Sequence, residues 1–115
     1  MVEVRIRRDS RSRLSSFLAT GHAGWADPGS DVVCAAVSTV LQSAWVGLRD
    51  VAQVKPTGRR GAGRLLLSWP KESRSDRGVR AIVETAARSV EYLARQHPRH
   101  IKIVTESADE TGNRA

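Results

Sequence analysis

Disulfide chemistry has no material in this chain, because its 115 residues include one Cys. That excludes an intrachain disulfide framework and a thiolate-rich zinc site. Aromatic residues are scarce as well: three Trp, one Tyr and one Phe leave little for a base-stacking platform. No apolar run approaches the roughly 18 residues of a membrane span. The opening Met1-Val2-Glu3-Val4-Arg5 lacks the apolar stretch of a signal peptide. The expectation is a soluble, cytoplasmic protein without membrane contact. Acidic residues are also in short supply, 12 against 19 basic ones, which leaves a formal net charge of +7. A basic surface suits a polyanionic partner such as RNA, but here the charge is spread along the chain. Arg5, Arg7, Arg8, Arg11 and Arg13 form its densest group, and Arg59, Arg60 and Arg64 another.

What is present suffices for one core: 40% of residues are apolar, in a length that suits a single domain. Val2, Val4 and Ile6 alternate with Glu3, Arg5 and Arg7, the period of a half-buried strand. Asp9 to Arg13 reads as a turn and Leu14 to Ala19 as the returning strand. Gly21 to Ser30 holds three Gly and a Pro, with Trp25 as its one bulky apolar side chain, and reads as a long loop. Val33, Val37, Val40, Leu41, Ala44, Leu48 and Val51 recur at helical spacing, with Asp31 or Ser30 placed to cap the helix. Val51 to Thr57 reads as a short edge strand, Arg59 to Gly63 as a turn, and Arg64 to Trp69 as a more buried strand.

Asp76 caps a second helix whose apolar stripe runs through Val79, Ile82, Val83, Ala86, Val90, Leu93 and Ala94. Glu84 with Arg88 and Glu91 with Arg95 have the i, i+4 spacing of ion pairs on its outer face, and Pro98 ends it. Ile101 to Thr105 alternates again. The predicted fold is α+β, in the order ββαββαβ, with two helices packed on a mainly antiparallel sheet. One domain spans residues 1–106, and residues 107–115 form a flexible polar tail.

The chemistry concentrates between Gly21 and Ser38. A lone Cys among Val and Ala is ordinarily a small buried hydrophobe. With Asp31 as the cap, however, Cys34 becomes the third residue of its helix, close to free N–H groups and the positive end of the dipole. Making a thiol a hundredfold stronger as an acid takes about 2.7 kcal/mol, whereas a helix terminus supplies about 0.3–1. A cation near 4 Å at an effective dielectric of about 20 supplies roughly 4 kcal/mol. His22, twelve residues upstream across a Gly-rich loop, can be that cation. His97 and His100 flank Pro98 and suit capping or surface roles. A His delivered beside a helix-start Cys suits a peptidase dyad, with helix-start amides, including that of Cys34, as oxyanion donors. A structural Cys is the competing reading.

The run Gly21-His22-Ala23, then Cys34-Ala35-Ala36-Val37-Ser38 preceded by Asp31-Val32-Val33, resembles the signature of the ribosomal-processing cysteine protease family. Phe17-Leu18 and the stretch from Tyr92 through Pro98 to Ile103 fit the same pattern. The resemblance implies a small α+β endopeptidase, commonly a homodimer, with no cofactor and no metal. It implies removal of the N-terminal extension of a large-subunit ribosomal protein, cut after two bulky residues and before a small one. It makes Cys34 the nucleophile and His22 its base. Asp31 and Ser38 match motif positions: Asp31 either caps the helix or orients His22, and Ser38 either lines the site or packs. Gly21, Ala23, Gly24, Trp25 and Gly29 belong to the expected substrate loop, which Trp25 lines or plugs. Trp25 and Thr39 depart from the pattern, where a smaller aromatic and Ala are usual. The alternative from another class is a non-enzymatic module bound to the ribosome or to RNA, consistent with the +7 charge.

Overall fold

A computed structural model describes residues 1–21 and 28–108, with residues 28–31 described by their backbone alone. Strands β1 (Val2–Arg8) and β2 (Leu14–Thr20) form a hairpin, followed by helix α1 (Pro28–Val46). A second hairpin, β3 (Thr57–Gly61) and β4 (Arg64–Ser68), leads to helix α2 (Arg77–Gln96) and strand β5 (Ile101–Ser107). The sheet order is β3-β4-β2-β1-β5, antiparallel throughout except where β5 lies parallel to β1. The expected α+β order ββαββαβ is the order found.

The alternation of β1 becomes a two-sided sheet. Val4 pairs with Ala19 and Ile103, Ile6 with Phe17, and Phe17 with Leu67, so one apolar layer runs across four strands. Both helices bury their stripes on it: Val33, Val37, Leu41, Ala44 and Leu48 from the first, and Val79, Val83, Ala86, Ala87 and Val90 from the second. The alternate residues face away, where Arg5 and Arg7 bind Glu106 of β5 at 2.6 and 3.0 Å. A bulge at Ser15 shifts the β1–β2 register, and its hydroxyl donates to the Arg7 carbonyl at 3.1 Å. Below the bulge, Asp9 closes the turn by accepting from the Arg11 and Arg13 amides at 2.9 and 3.1 Å. Trp69 stacks at a tilt on Phe17 and donates its indole N–H to the Leu14 carbonyl at 2.9 Å.

Four expectations need correction. First, α1 begins at Pro28, not after Asp31, a start that suits the preset φ of proline. Secondly, Val51 to Thr57 is not a strand. One wide turn, Gly47–Val51, extends α1 and keeps Leu48 fully buried. Gln53 then reverses the chain at φ 58°, and Val54 donates to the Leu48 carbonyl at 3.0 Å. The strand forms after Pro56 instead, so Arg59–Gly61 belongs to an exposed edge and only Ala62 and Gly63 turn. Thirdly, Glu84 and Arg88 do not pair, because Glu84 binds Arg8 at 3.1 Å; Arg95 lies over the Tyr92 ring rather than against Glu91. Fourthly, Val32–Val51 is long and apolar enough by length and composition to cross a membrane. Its buried stripe against the sheet and the polar Ser38, Thr39, Gln42 and Ser43 between make it an amphipathic core helix. Of the expected tail, Ser107 still belongs to β5, and residues 109–115 lie outside the described residues.

Candidate active site

Strand β2 delivers the chain to the site and Gly21 turns it there. The Gly21 amide donates to the Gly63 carbonyl at 3.0 Å, which ties the end of β2 to the β3–β4 turn. Its φ of 130° lies in a region that side chains disfavour, and a Cβ there would collide with the Met1 carbonyl oxygen and sit 3.0 Å from Val2 Cα. The glycine is therefore required by two independent constraints, backbone conformation and space. His22, Ala23, Gly24 and Trp25 follow it and lie outside the described residues.

Gly21 forms one wall of a cleft of about 180 Å³ that contains Cys34. Val2 and Ala19 line it from the sheet, Val37 and Ser38 from α1, and Arg60, Gly61, Gly63 and Arg64 from the β3–β4 hairpin. Cys34 is a half-buried free thiol, which fits a reacting group better than a sealed core residue. Ser38, one turn further along α1, lines the cleft and accepts from Gln42 Nε2 at 2.6 Å. Gln42 in turn accepts from Arg60 Nη1 at 3.4 Å. This Ser38–Gln42–Arg60 string supports the lining reading of Ser38.

The early start of α1 changes the surroundings expected for Cys34. Cys34 is the seventh residue of its helix, not the third. The amides left without an intrahelical bond belong to the first residues of α1, well before Cys34, so the Cys34 N–H is not among them. The dipole fades within the first turn, so it contributes little at Cys34. Asp31 sits inside the helix as its fourth residue and is no N-cap; Gly29 is the second, so the loop is shorter than expected. The positive potential at the cleft comes instead from the hairpin: Arg60 and Arg64 line it, and among the described residues no carboxylate does. Such a rim favours a developing oxyanion.

Sequence reasoning missed Gln42, Arg60, Arg64 and the hairpin glycines. Gln42 continues the i, i+4 series from Cys34 and Ser38, a signal that was readable. Arg60 and Arg64 enter the site only through the pairing of β3 with β4 and β4 with β2. Away from the cleft, the His97 backbone ends α2, its amide donating to Leu93 and its carbonyl accepting from His100 and Ile101.

Comparison with known proteins agrees with this architecture. Residues 1–102 match the family described as Cysteine protease Prp. A Bacillus subtilis relative, Ribosomal processing cysteine protease Prp, is 27% identical over 110 residues, covering 91% of this chain and 97% of its own. The crystal structure of SMU.848 from Streptococcus mutans superimposes with a TM-score of 0.83 at 24% identity, covering 93% of this chain and 98% of that one. The Staphylococcus aureus Prp protease, crystallised with a substrate peptide, gives 0.82 at 18% identity, covering 91% and 99%.

Proposed function

From the premise that the chain belongs to the cysteine protease Prp family, we propose that Cys34 and His22 form its catalytic dyad. We further infer that its substrate is the N-terminal extension of a large-subunit ribosomal protein. The observation that carries the reading is Cys34 lining a cleft one wall of which is the glycine immediately before His22. The B. subtilis relative bears the name of a ribosomal processing protease, which supports the choice of substrate. Family membership as a cysteine protease sets aside the non-enzymatic module.

In this mechanism Cys34 Sγ attacks the scissile carbonyl carbon while His22 takes the thiol proton. The tetrahedral intermediate collapses as His22 returns the proton to the leaving amine, and water then hydrolyses the thioester. Arg60 and Arg64 offset the oxyanion charge, a role first expected of helix-start amides. The enzyme works in the cytoplasm as a homodimer, which sedimentation of the purified chain checks by giving twice the monomer mass.

The deciding experiment incubates the chain with a synthetic peptide spanning the host protein's N-terminal extension and reads the products by mass spectrometry. One internal cut is expected, lost in Cys34→Ala and slowed about 10²–10⁴-fold in His22→Ala. Cleavage by folded Cys34→Ala would overturn the mechanism. A peptide left intact by the wild-type chain would overturn the substrate.

A further inference from the structure

At the far end of β1 from the cleft, a second cavity of about 350 Å³ opens between the β1–β2 turn and the start of α2. Five arginines line it: Arg8, Arg11 and Arg13 from the strand end and turn, and Arg74 and Arg80 from either side of the α2 cap. We propose that this cavity is a docking site for the phosphate backbone of RNA.

The charge balance carries the argument. Two carboxylates serve the five guanidinium groups: Glu84 binds Arg8 at 3.1 Å, and Asp9 binds Arg13 at 3.1 Å and Arg74 at 3.2 Å. An excess of three positive charges remains in one cavity, and Arg11 and Arg80 have no ion-pair partner among the described residues. The paired arginines are held in place. Arg13 also donates to Ser75 Oγ at 2.9 Å, and Arg74 donates to the Trp69 carbonyl at 3.2 Å. Their side-chain entropy is already lost, so an arriving ligand meets a preset array of forked donors.

Forked guanidinium groups match phosphate oxygens. No aromatic ring lines the cavity, so it offers nothing for base stacking and grips backbone without reading sequence. It also lacks the large apolar anchor of a protein-docking pocket. Charge alone is on offer, in a chain of net +7, and charge dominates non-specific RNA binding. Val2 borders the cleft and Arg8 the arginine cavity, and the six strand steps from one to the other span about 20 Å. Bound RNA therefore leaves Cys34 open to a peptide.

Fluorescence anisotropy of the full chain with a labelled single-stranded RNA of mixed sequence, titrated at several KCl concentrations, tests the site. The double variant Arg11→Glu/Arg80→Glu is compared with Arg88→Glu/Arg99→Glu, which has the same net charge but alters exposed positions elsewhere. The first should bind about tenfold more weakly or worse, with a salt slope lower by about 1.4; the second should stay within about twofold. Arg11→Ala/Arg80→Ala should show the same direction with a smaller loss. Cleavage of free peptide should be unchanged in all three, so failure of this site leaves the peptidase reading standing, and the reverse. Equal weakening in both Glu doubles, or no RNA binding at all, overturns the proposal. So does full competition by inorganic phosphate at RNA-equivalent concentrations, or a polyglutamate peptide that binds as tightly and depends on the same two arginines.

Discussion

Gly21 shows how much function one residue can carry without reacting. Its backbone turns β2 into the segment that begins with His22, in a conformation and a space that admit no side chain. Gly21→Ala should destabilise the fold by about 1–3 kcal/mol in urea unfolding and lower peptide cleavage along with it. Cys34→Ala should unfold at the wild-type urea midpoint while cleavage disappears, since alanine suits a helix interior and the thiol is half-buried. Asp9 makes a pH prediction. Burial alone would push its carboxyl up, but the Arg13 and Arg11 amides and the Arg74 and Arg13 guanidinium groups together hold it below the usual carboxylate range. Its folded value then lies below its unfolded one, so its stabilisation is complete above about pH 4 and is lost as pH falls through the folded value. Asp9→Asn should be less stable by about 2 kcal/mol at neutral pH. That gap should narrow as the urea midpoints of both proteins are followed from about pH 5 towards about pH 2. Cys34, Ser38 and Gly21 were legible as single residues because motif and helical spacing mark them. Arg60 was not, because what brings it to Cys34 is a strand pairing and no local pattern.

Among the elements, α2 was read most faithfully, since a capping Asp, a regular stripe and a terminating Pro agree with one another. Asp76 Oδ2 accepts from the Val79 amide at 3.0 Å, and Asp76→Ala should lower stability by about 1 kcal/mol in chemical denaturation. The start of α1 was misread because Asp31 and Ser30 are good capping residues in the wrong place; Pro28 offered a competing signal with a preset helical φ. That shift of one turn moves Cys34 away from the helix terminus and transfers the electrostatic task to the β3–β4 hairpin. The misplaced β3 has a different origin. Val51 and Val54 suggested a strand, but burying Leu48 required another helical turn, and tertiary packing outweighed local alternation.

At the scale of the molecule, the order of elements and the facing of the sheet were legible because both rest on hydrophobic period. The parallel placement of β5 was not, since an isolated apolar run carries no mark of its neighbour. That placement makes β1 an interior strand with β2 on one side and residues 101–107 on the other. Ile101 is buried against it, and Ile103 packs on the core. A chain stopped before Ile101 should lose its cooperative urea transition and its cleavage activity together. The same pairing sets a schedule for synthesis. A ribosome releases the β1–β2 hairpin early, but the neighbour of β1 emerges only after some hundred residues have been made. Until then β1 keeps an open edge beside Val2 and the cleft, and the loop joining first strand to last is nearly the whole chain. Closure is therefore slow for so small a fold and waits for β5, whose pairing with Val2 gives the cleft wall its final support. An enzyme assembled in this order does not become competent piecemeal: its activity should switch on with the last strand.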